Sequence, residues 1–362
     1  MTTKSISSSV YDWVDDRLGL SEIAAFARHK TVPVHAQSFW YYWGGISLFL
    51  FLVQCFTGVL LLVYYRPGAE AYESVRQITY VMHFGWLIRS AHSWSSNLML
   101  FAIFVHMFSV FFMKAYRKPR EFGWLSGMAL LGLATVFGFS GYLLPMDELS
   151  YFATKVGLEI PAAVPFIGPA IANMLRGGPE VSEFTVQRFF ALHVVVLPAI
   201  FLPLLGFHLC LVQKHGNALP PSEEVKPASE RKTIPFMPGF LRKDLAMWLI
   251  SLNVLALLAS VFPWTLGKQA DSLVPAPVGI HPEWYFMSPF EMLKLLGNWL
   301  PGEFGEIAGL LLFSAGIVLW ILIPFYDINR EAGRRSRAAH YFGLVAVILL
   351  LATTVVGYWT IR

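Results

Sequence analysis

Seven stretches of about 20 mostly apolar residues, each bounded by charge, proline or glycine, punctuate the chain. They are Phe39–Tyr64, Ala91–Met113, Trp124–Leu144, Phe190–Val212, Leu245–Leu266, Ile307–Phe325 and Tyr341–Tyr358. About 20 such residues form an α-helix long enough to cross the ~30 Å hydrocarbon core of a bilayer. The pattern predicts an all-α integral membrane fold of seven transmembrane helices, four in an N-terminal bundle and three in a C-terminal part. Between Tyr11 and Phe26 the period changes: Val14, Leu18, Ile23 and Ala24 alternate with Asp15, Asp16, Arg17 and Glu22, as in a helix lying on the membrane surface. A Pro- and charge-rich stretch, Gly216–Arg242, is the best internal boundary. The chain thus divides into an N-terminal segment (1–38), a four-helix domain (39–216), a linker (217–243) and a three-helix domain (244–362). Two long, weakly charged loops, Pro145–Phe189 and Gly267–Glu306, are expected to lie against the membrane and build a site.

Composition agrees with this pattern. Of 362 residues, 56% are hydrophobic and 14% charged, against about 25% charged in a soluble domain. The net charge of +4 gives no argument for nucleic acid. The placement of the basic residues says more. Lys114, Arg117, Lys118 and Arg120, then Lys214, Lys226, Arg231, Lys232, Arg242 and Lys243, then Arg330, Arg334, Arg335 and Arg337 fall in alternate loops, on the side of Lys4, Arg17, Arg28 and Lys30. The opposite side carries only Arg66, Arg76, Arg89, Lys155, Arg176, Arg188, Lys268, Lys294 and Arg362. The positive-inside rule puts the N-terminus in the cytoplasm and the C-terminus outside. Acids and the lack of an apolar core in the first 30 residues argue against a cleaved signal peptide. Both cysteines, Cys55 and Cys210, lie in apolar stretches, which leaves no disulfide framework, CxxC site or CxxCH haem attachment.

Ionisable groups inside membrane spans are functional suspects, and four histidines qualify: His92 and His106 on the second helix, His193 and His208 on the fourth. At about 100° per residue, spacings of 14 and 15 return to within about 40° and 60° of one face. Both helices run in the same direction, so His92 lies level with His193 and His106 with His208. Two bis-imidazole sites follow, separated by roughly 21–22 Å. That spacing suits two haems forming an electron path across the bilayer; zinc is disfavoured because no acid or thiol accompanies either pair. Gly44 and Gly58 on the first helix, and Gly127 and Gly141 on the third, repeat the spacing of 14. They are either places where a porphyrin edge meets backbone or ordinary close helix contacts. Arg89 and Arg188, near the outer level, can pair with haem propionates or simply snorkel to the interface.

The runs GWLIRSAHSW (85–94), GYLLP (141–145), RFFALHVVVLP (188–198) and above all Pro282-Glu283-Trp284-Tyr285 resemble cytochrome b of bc1 and b6f complexes over nearly the whole chain. The second His spacing, the opening YDW, the RKPRE loop (117–121) and the helix count are closer to the b6f type, with the cytochrome b6-like and subunit IV-like parts fused. The resemblance implies an outer low-potential haem b on His92/His193 and an inner high-potential haem b on His106/His208. It also implies a quinol-oxidising site outside and a quinone-reducing site inside, in a bacterial cytoplasmic membrane. The partners it implies are a Rieske-type iron–sulfur protein, a cytochrome c-type or similar carrier, quinone, lipid and a second copy of the complex.

Glu283, a carboxylate beside proline and aromatics near the outer level, suits a quinol proton acceptor. Tyr142 would form the opposing wall, with Pro145, Pro282, Trp284, Tyr285 and Phe286 shaping the site. At the inner level IPFMPGFLRKD (234–244) resembles a segment that sets an Asp beside quinone. Asp244 is the candidate donor, Arg242 and Lys243 candidate relays, and Gln213 and His215 candidate carbonyl partners; an Asp favoured at any helix start is the competing account. Tyr42 stands where b6f-type chains carry the cysteine of an additional covalent haem, so two haems b and no covalent haem are expected. Ser93 and Ser109 replace arginines of the b6f pattern. The alternative is a di-haem membrane anchor passing electrons between a dehydrogenase and quinone without bifurcation, which would need no PEWY loop. A transporter or structural subunit would require the four histidines to serve only packing or a water path.

Overall fold

A computed structural model describes residues 6–162, 164, 166–299, 303–327 and 337–360. Lys4, Arg330, Arg334, Arg335 and Arg362 of the orientation argument lie outside the described residues. The amphipathic N-terminus forms two helices, α1 (Ile6–Leu18) and α2 (Leu20–His29), where the pattern predicts one. The break is Gly19, whose φ of +62° is a conformation that side chains other than glycine resist.

Six helices among the described residues are long and apolar enough to span a membrane. They are Ser38–Leu62, which opens with a tight turn before α3 (Tyr42–Leu62); α5 (Gly85–Phe112); α6 (Glu121–Tyr142); α9 (Glu183–His215); Phe236–Val261, mostly α10 (Leu241–Val261); and α13 (Arg337–Thr360). In the remaining predicted segment lies α12 (Glu303–Ile321), whose apolar part Ile307–Ile321 is shorter. Many outward residues of these helices, such as Phe56, Val59, Leu249 and Val355, are exposed apolar side chains suited to lipid.

The predicted long loops contain helices. Between the third and fourth spans lie α7 (Glu148–Ala162) and α8 (Gly168–Arg176), and α11 (Trp284–Trp299) begins within the PEWY sequence. A further surface helix, α4 (Ala71–Tyr80), separates the first two spans. A search for 20 apolar residues is blind to short helices that bury one face only. A bridge between Asp147 and Gln269 ties the two long segments, and the Asp147 carboxylate accepts hydrogen bonds from Ser150 N (3.0 Å) and Gly267 N (3.2 Å).

The linker is not a free tether. Its strand β2 (Thr233–Pro235) pairs antiparallel with β1 (Thr31–Pro33), Val32 facing Ile234, and Lys30 donates a hydrogen bond to Gln213. The fifth span stops five residues earlier than predicted, at Val261, ahead of Pro263. Its end is strapped to α5: Ser90 Oγ donates to Ala259 O (3.1 Å), Trp94 Nε1 to Phe262 O (2.8 Å) and Arg89 to Trp264 O (2.7 Å). Those bonds satisfy carbonyls that a helix end leaves open, and they allow α5 to begin at Gly85 with Arg89 buried.

The four-helix and C-terminal parts are joined by a buried polar knot under an aromatic stack. Phe111 and Trp320 lie with centroids 4.2 Å apart. Beside them the Asp327 carboxylate accepts from Tyr116 Oη (2.5 Å) and Arg117 (3.3 Å), with Lys114 Nζ at 3.9 Å. Burial pulls the Lys114 ammonium down to about 8, against the opposing pull of Asp327. Asp327→Asn is therefore expected to leave a buried ammonium without its anion. The cost is about 1–3 kcal/mol, read as a lower thermal transition of the detergent-solubilised protein with cofactor content intact.

Candidate functional site

The rings of His92 and His193 face each other across the bundle, with centroids 6.4 Å apart. Two imidazoles on opposite sides of one metal ion occupy such a separation: two metal–nitrogen bonds of about 2 Å each, plus half a ring on either side. The unequal spacings on the two helices have a local cause. Helix α9 contains a π-turn, Leu192–Val196, in which Leu197 N–H reaches back to Leu192 O. Pro198 follows, lacking an N–H and crowding the carbonyl four residues back. A π-turn accommodates one extra residue, so the spacing of 15 brings His208 to the helix face that 14 would give.

Each glycine of the repeated spacing lies against one imidazole. A Cβ at Gly58 would sit 3.3 Å from His92 Cε1, at Gly141 2.7 Å from His193 Cε1, at Gly44 3.0 Å from His106 Cε1, and at Gly127 3.3 Å from His208 Cε1. Three hydroxyls not singled out from the sequence complete these cradles. Thr57 Oγ1 meets His92 Nδ1 at 2.8 Å, Ser140 Oγ meets His193 Nδ1 at 3.0 Å, and Ser126 Oγ meets His208 Nδ1 at 2.9 Å. Each directly precedes its cradle glycine, a signal present in the sequence. Gln54 adds a bond from Nε2 to His92 O (2.5 Å).

Between the two levels lies an apolar layer. Phe51, Met99, Ala134 and Phe201 are buried about midway between the paired glycines or histidines of their helices, and Phe51 and Phe201 touch with centroids 4.6 Å apart. Among the described residues no group of three or more His, Cys, Asp or Glu side chains could hold a metal. Two imidazoles per level with an apolar surround fit a planar tetrapyrrole that supplies its own four equatorial ligands, and so fit haem. They do not form a tetrahedral zinc site.

One cavity of about 650 Å³ joins the His92/His193 level to the PEWY loop. Glu283, Tyr142, Tyr285, Pro145 and Arg89 line it together with both histidines. Burial raises the Glu283 carboxyl above the usual range, partly offset by the His281 charge. Burial, and then the charge of Glu283, push the Tyr285 phenol well up, so it stays neutral. Trp284 Nε1 donates to Asn97 Oδ1 (2.8 Å), pinning the loop to α5 five residues past His92. Phe286 packs on Phe139 (6.1 Å) and Tyr285 (4.8 Å), while the Pro282 carbonyl meets His281 Nδ1 (2.9 Å). Arg89 spends part of its fork on the Trp264 carbonyl yet still borders the cavity. Arg188 is instead turned to the end of α8, donating to the Met174 carbonyl, and is not among the cavity-lining residues.

At the other level the Asp244 carboxylate lies directly against Gly45 of α3. Tyr42 is buried beside it, stacked on Phe240 with centroids 5.1 Å apart. Gln213 accepts from Lys30, and the His215 carbonyl accepts from Arg120 (3.1 Å). Arg242 Nε donates to Pro238 O (3.3 Å) and Lys243 is exposed, so neither is shown reaching Asp244. Ser109 Oγ donates to His106 O (2.7 Å) and the Ser93 carbonyl accepts from Asn97 (3.0 Å).

Residues 97–269 match the family described as cytochrome b(N-terminal)/b6/petB, and residues 269–361 the family cytochrome b(C-terminal)/b6/petD. A cytochrome bc complex cytochrome b subunit of Chlorobaculum thiosulfatiphilum is 46% identical over 349 residues, covering 96% of this chain and 80% of that one. Cytochrome b6 of Synechococcus sp. (strain JA-3-3Ab) is 40% identical over 214 residues, 59% of this chain and 99% of its own length. Among solved structures, a chain of a hyperthermophilic respiratory Complex III superposes with a TM-score of 0.84 at 28% identity, covering 96% of this chain and 90% of that one.

Proposed function

The chain belongs to the cytochrome b/b6 family and is the cytochrome b of a bc-type electron-transfer complex; from that premise we propose that it oxidises quinol with divided electron transfer. Binding of haem b follows from the family. The residues we assign to the two haems are His92 with His193 and His106 with His208, which would hold them through their imidazoles. Haem held there supplies a one-electron relay at each of two depths.

The observation that carries the reading is the cavity shared by the His92/His193 pair, Glu283 and Tyr142. Quinol oxidised there releases two electrons and two protons. One electron leaves to an iron–sulfur partner, which two exposed cysteines cannot replace, and thence to a cytochrome c-type carrier. The other crosses the membrane, so that two turnovers supply the two electrons that reduce one quinone to quinol beside Asp244, with protons taken up from that side. Glu283 takes up the quinol protons in turn and delivers them outside, Tyr142 and Tyr285 hold the ring, and Arg89 would offer its remaining donors to a haem propionate. Electron travel toward the negative side costs about 2.3 kcal/mol per 100 mV for a full crossing, which the downhill partner branch offsets. The N-terminus faces the cytoplasm of a bacterial cell, and the complex is a dimer. The division into 39–216 and 244–362 then separates the haem-binding part from the part that brings the PEWY loop. The alternative, a simple di-haem anchor, has no use for Glu283 and its cavity.

Tyr42, filling the space next to Asp244 with Phe240, favours two haems and no covalent third. The dithionite-minus-ferricyanide spectrum of the purified complex is expected to contain two b-type α-bands, reducible by added short-chain quinol. Haem staining after denaturing electrophoresis is expected to leave the 40.7 kDa chain unstained. Absence of b-type bands overturns the function, and a stained band overturns the haem count.

A further inference from the structure

The four candidate axial ligands are not equivalent. At Thr57 the hydroxyl is committed as donor: Oγ1 lies 2.7 Å from Val53 O, which can only accept. Ser126 Oγ likewise donates to Phe122 O (2.7 Å) and Ser140 Oγ to Phe137 O (3.1 Å). A hydroxyl has one proton. With that proton committed, the contact with imidazole Nδ1 is assigned as Nδ1–H donating to the hydroxyl oxygen for His92, His208 and His193, the Gly123 and Phe137 carbonyls being further acceptors for His208 and His193. This fixes the tautomer with Nε2 bare and available as a ligand.

His106 departs from the rule. Its Nδ1 is buried with no hydrogen-bond partner among the described residues. The residue before its cradle glycine is Trp43, where the other three positions have Thr or Ser. Indole Nε1–H is a donor only and cannot accept from Nδ1–H; Trp43 Nε1 is itself buried and has no partner among the described residues. The His92/His193 level thus has a hydroxyl acceptor behind both imidazoles, and the His106/His208 level behind one.

An acceptor on Nδ1–H makes the imidazole a stronger donor through Nε2, which favours the oxidised, more positive metal and lowers its reduction potential. We propose that Thr57, Ser140 and Ser126 are positioning residues. Their two-against-one distribution keeps the His92/His193 haem at lower potential than the His106/His208 haem, and so gives electron transfer across the bilayer its direction. The inference rests on the bis-histidine haem assignment.

The test is a potentiometric titration of the α-bands in membranes containing the whole complex. Ser140→Ala is expected to raise the midpoint of the lower-potential haem toward that of the other. The predicted size is about tenfold in the ferric-to-ferrous ratio at fixed ambient potential, or about 59 mV for one electron. Ser140→Thr restores the hydroxyl and is expected to return the wild-type value. Ser126→Ala is expected to raise the higher midpoint instead and widen the gap, which gives an independent reading if the first variant does not assemble. Trp43→Thr, adding the missing acceptor, is expected to lower the higher midpoint. Bands present with midpoints unmoved by either Ser→Ala change overturn this inference alone. A wild-type complex without b-type bands overturns the haem assignment beneath it.

Discussion

His193→Leu is expected to remove the lower-potential haem while leaving the other bound, so that haem per polypeptide falls by about half and quinol oxidation falls to background. The size of the effect follows from what the imidazole does at its position. His193 lies within the π-turn, its ring pressed against Gly141 and Phe137 and its Nδ1 engaged by Ser140. No neighbouring side chain among the described residues completes a ligand group in its place. Leucine fills similar volume and removes an ionisable group from an apolar surround, so the helix bundle has no reason to unfold. The second haem is expected to persist because the layer of Phe51, Met99, Ala134 and Phe201 stands between the two levels, meeting the ring through Phe137. Pyridine haemochrome assay against protein mass checks the stoichiometry, and the same assay on His208→Leu is expected to remove the other haem. Loss of both haems from each single variant would mean that the two levels do not form separate sites.

The four histidines are legible in the sequence because imidazoles are rare in membrane spans and their spacing is periodic. Their supporting hydroxyls are not, because a serine or threonine within a span can satisfy itself on the carbonyl one turn back, as Ser126 and Thr57 also do. Only its position before a cradle glycine distinguishes it. The π-turn is signalled by Pro198, but a count at uniform 100° per residue averages over such an insertion. Helix ends move where tertiary bonds replace water: Arg89 reads as an interfacial charge at the edge of a span, yet carbonyls beyond α10 allow it to be buried inside α5. Arg188, with the same sequence signal, finds partners at the end of α8. Sequence spacing cannot tell these two arginines apart, since the difference lies in where the segment after α10 and the short helix α8 fold back.

Glu283→Gln is expected to slow quinol oxidation by about 10²- to 10⁴-fold, the range lost when a positioned proton acceptor is removed. The two side chains have nearly the same shape, so Trp284 is expected to keep its bond to Asn97 and both haems their spectra. The pH dependence separates proton transfer from packing. An acceptor must be ionised before it can work, and burial raises the Glu283 carboxyl above its usual range. The wild-type rate is therefore expected to climb with pH through that raised value and then level off. In the Glu283→Gln variant the limb has no group to titrate, and the residual rate is expected to be flat over the same interval. His281 supplies a second arm: its charge holds the Glu283 carboxyl down, against burial. His281→Gln removes that charge, so the acidic limb is expected to shift to higher pH while the plateau rate changes little. A Glu283→Gln enzyme that retains wild-type turnover with the limb in place would assign the proton to another group lining the cavity.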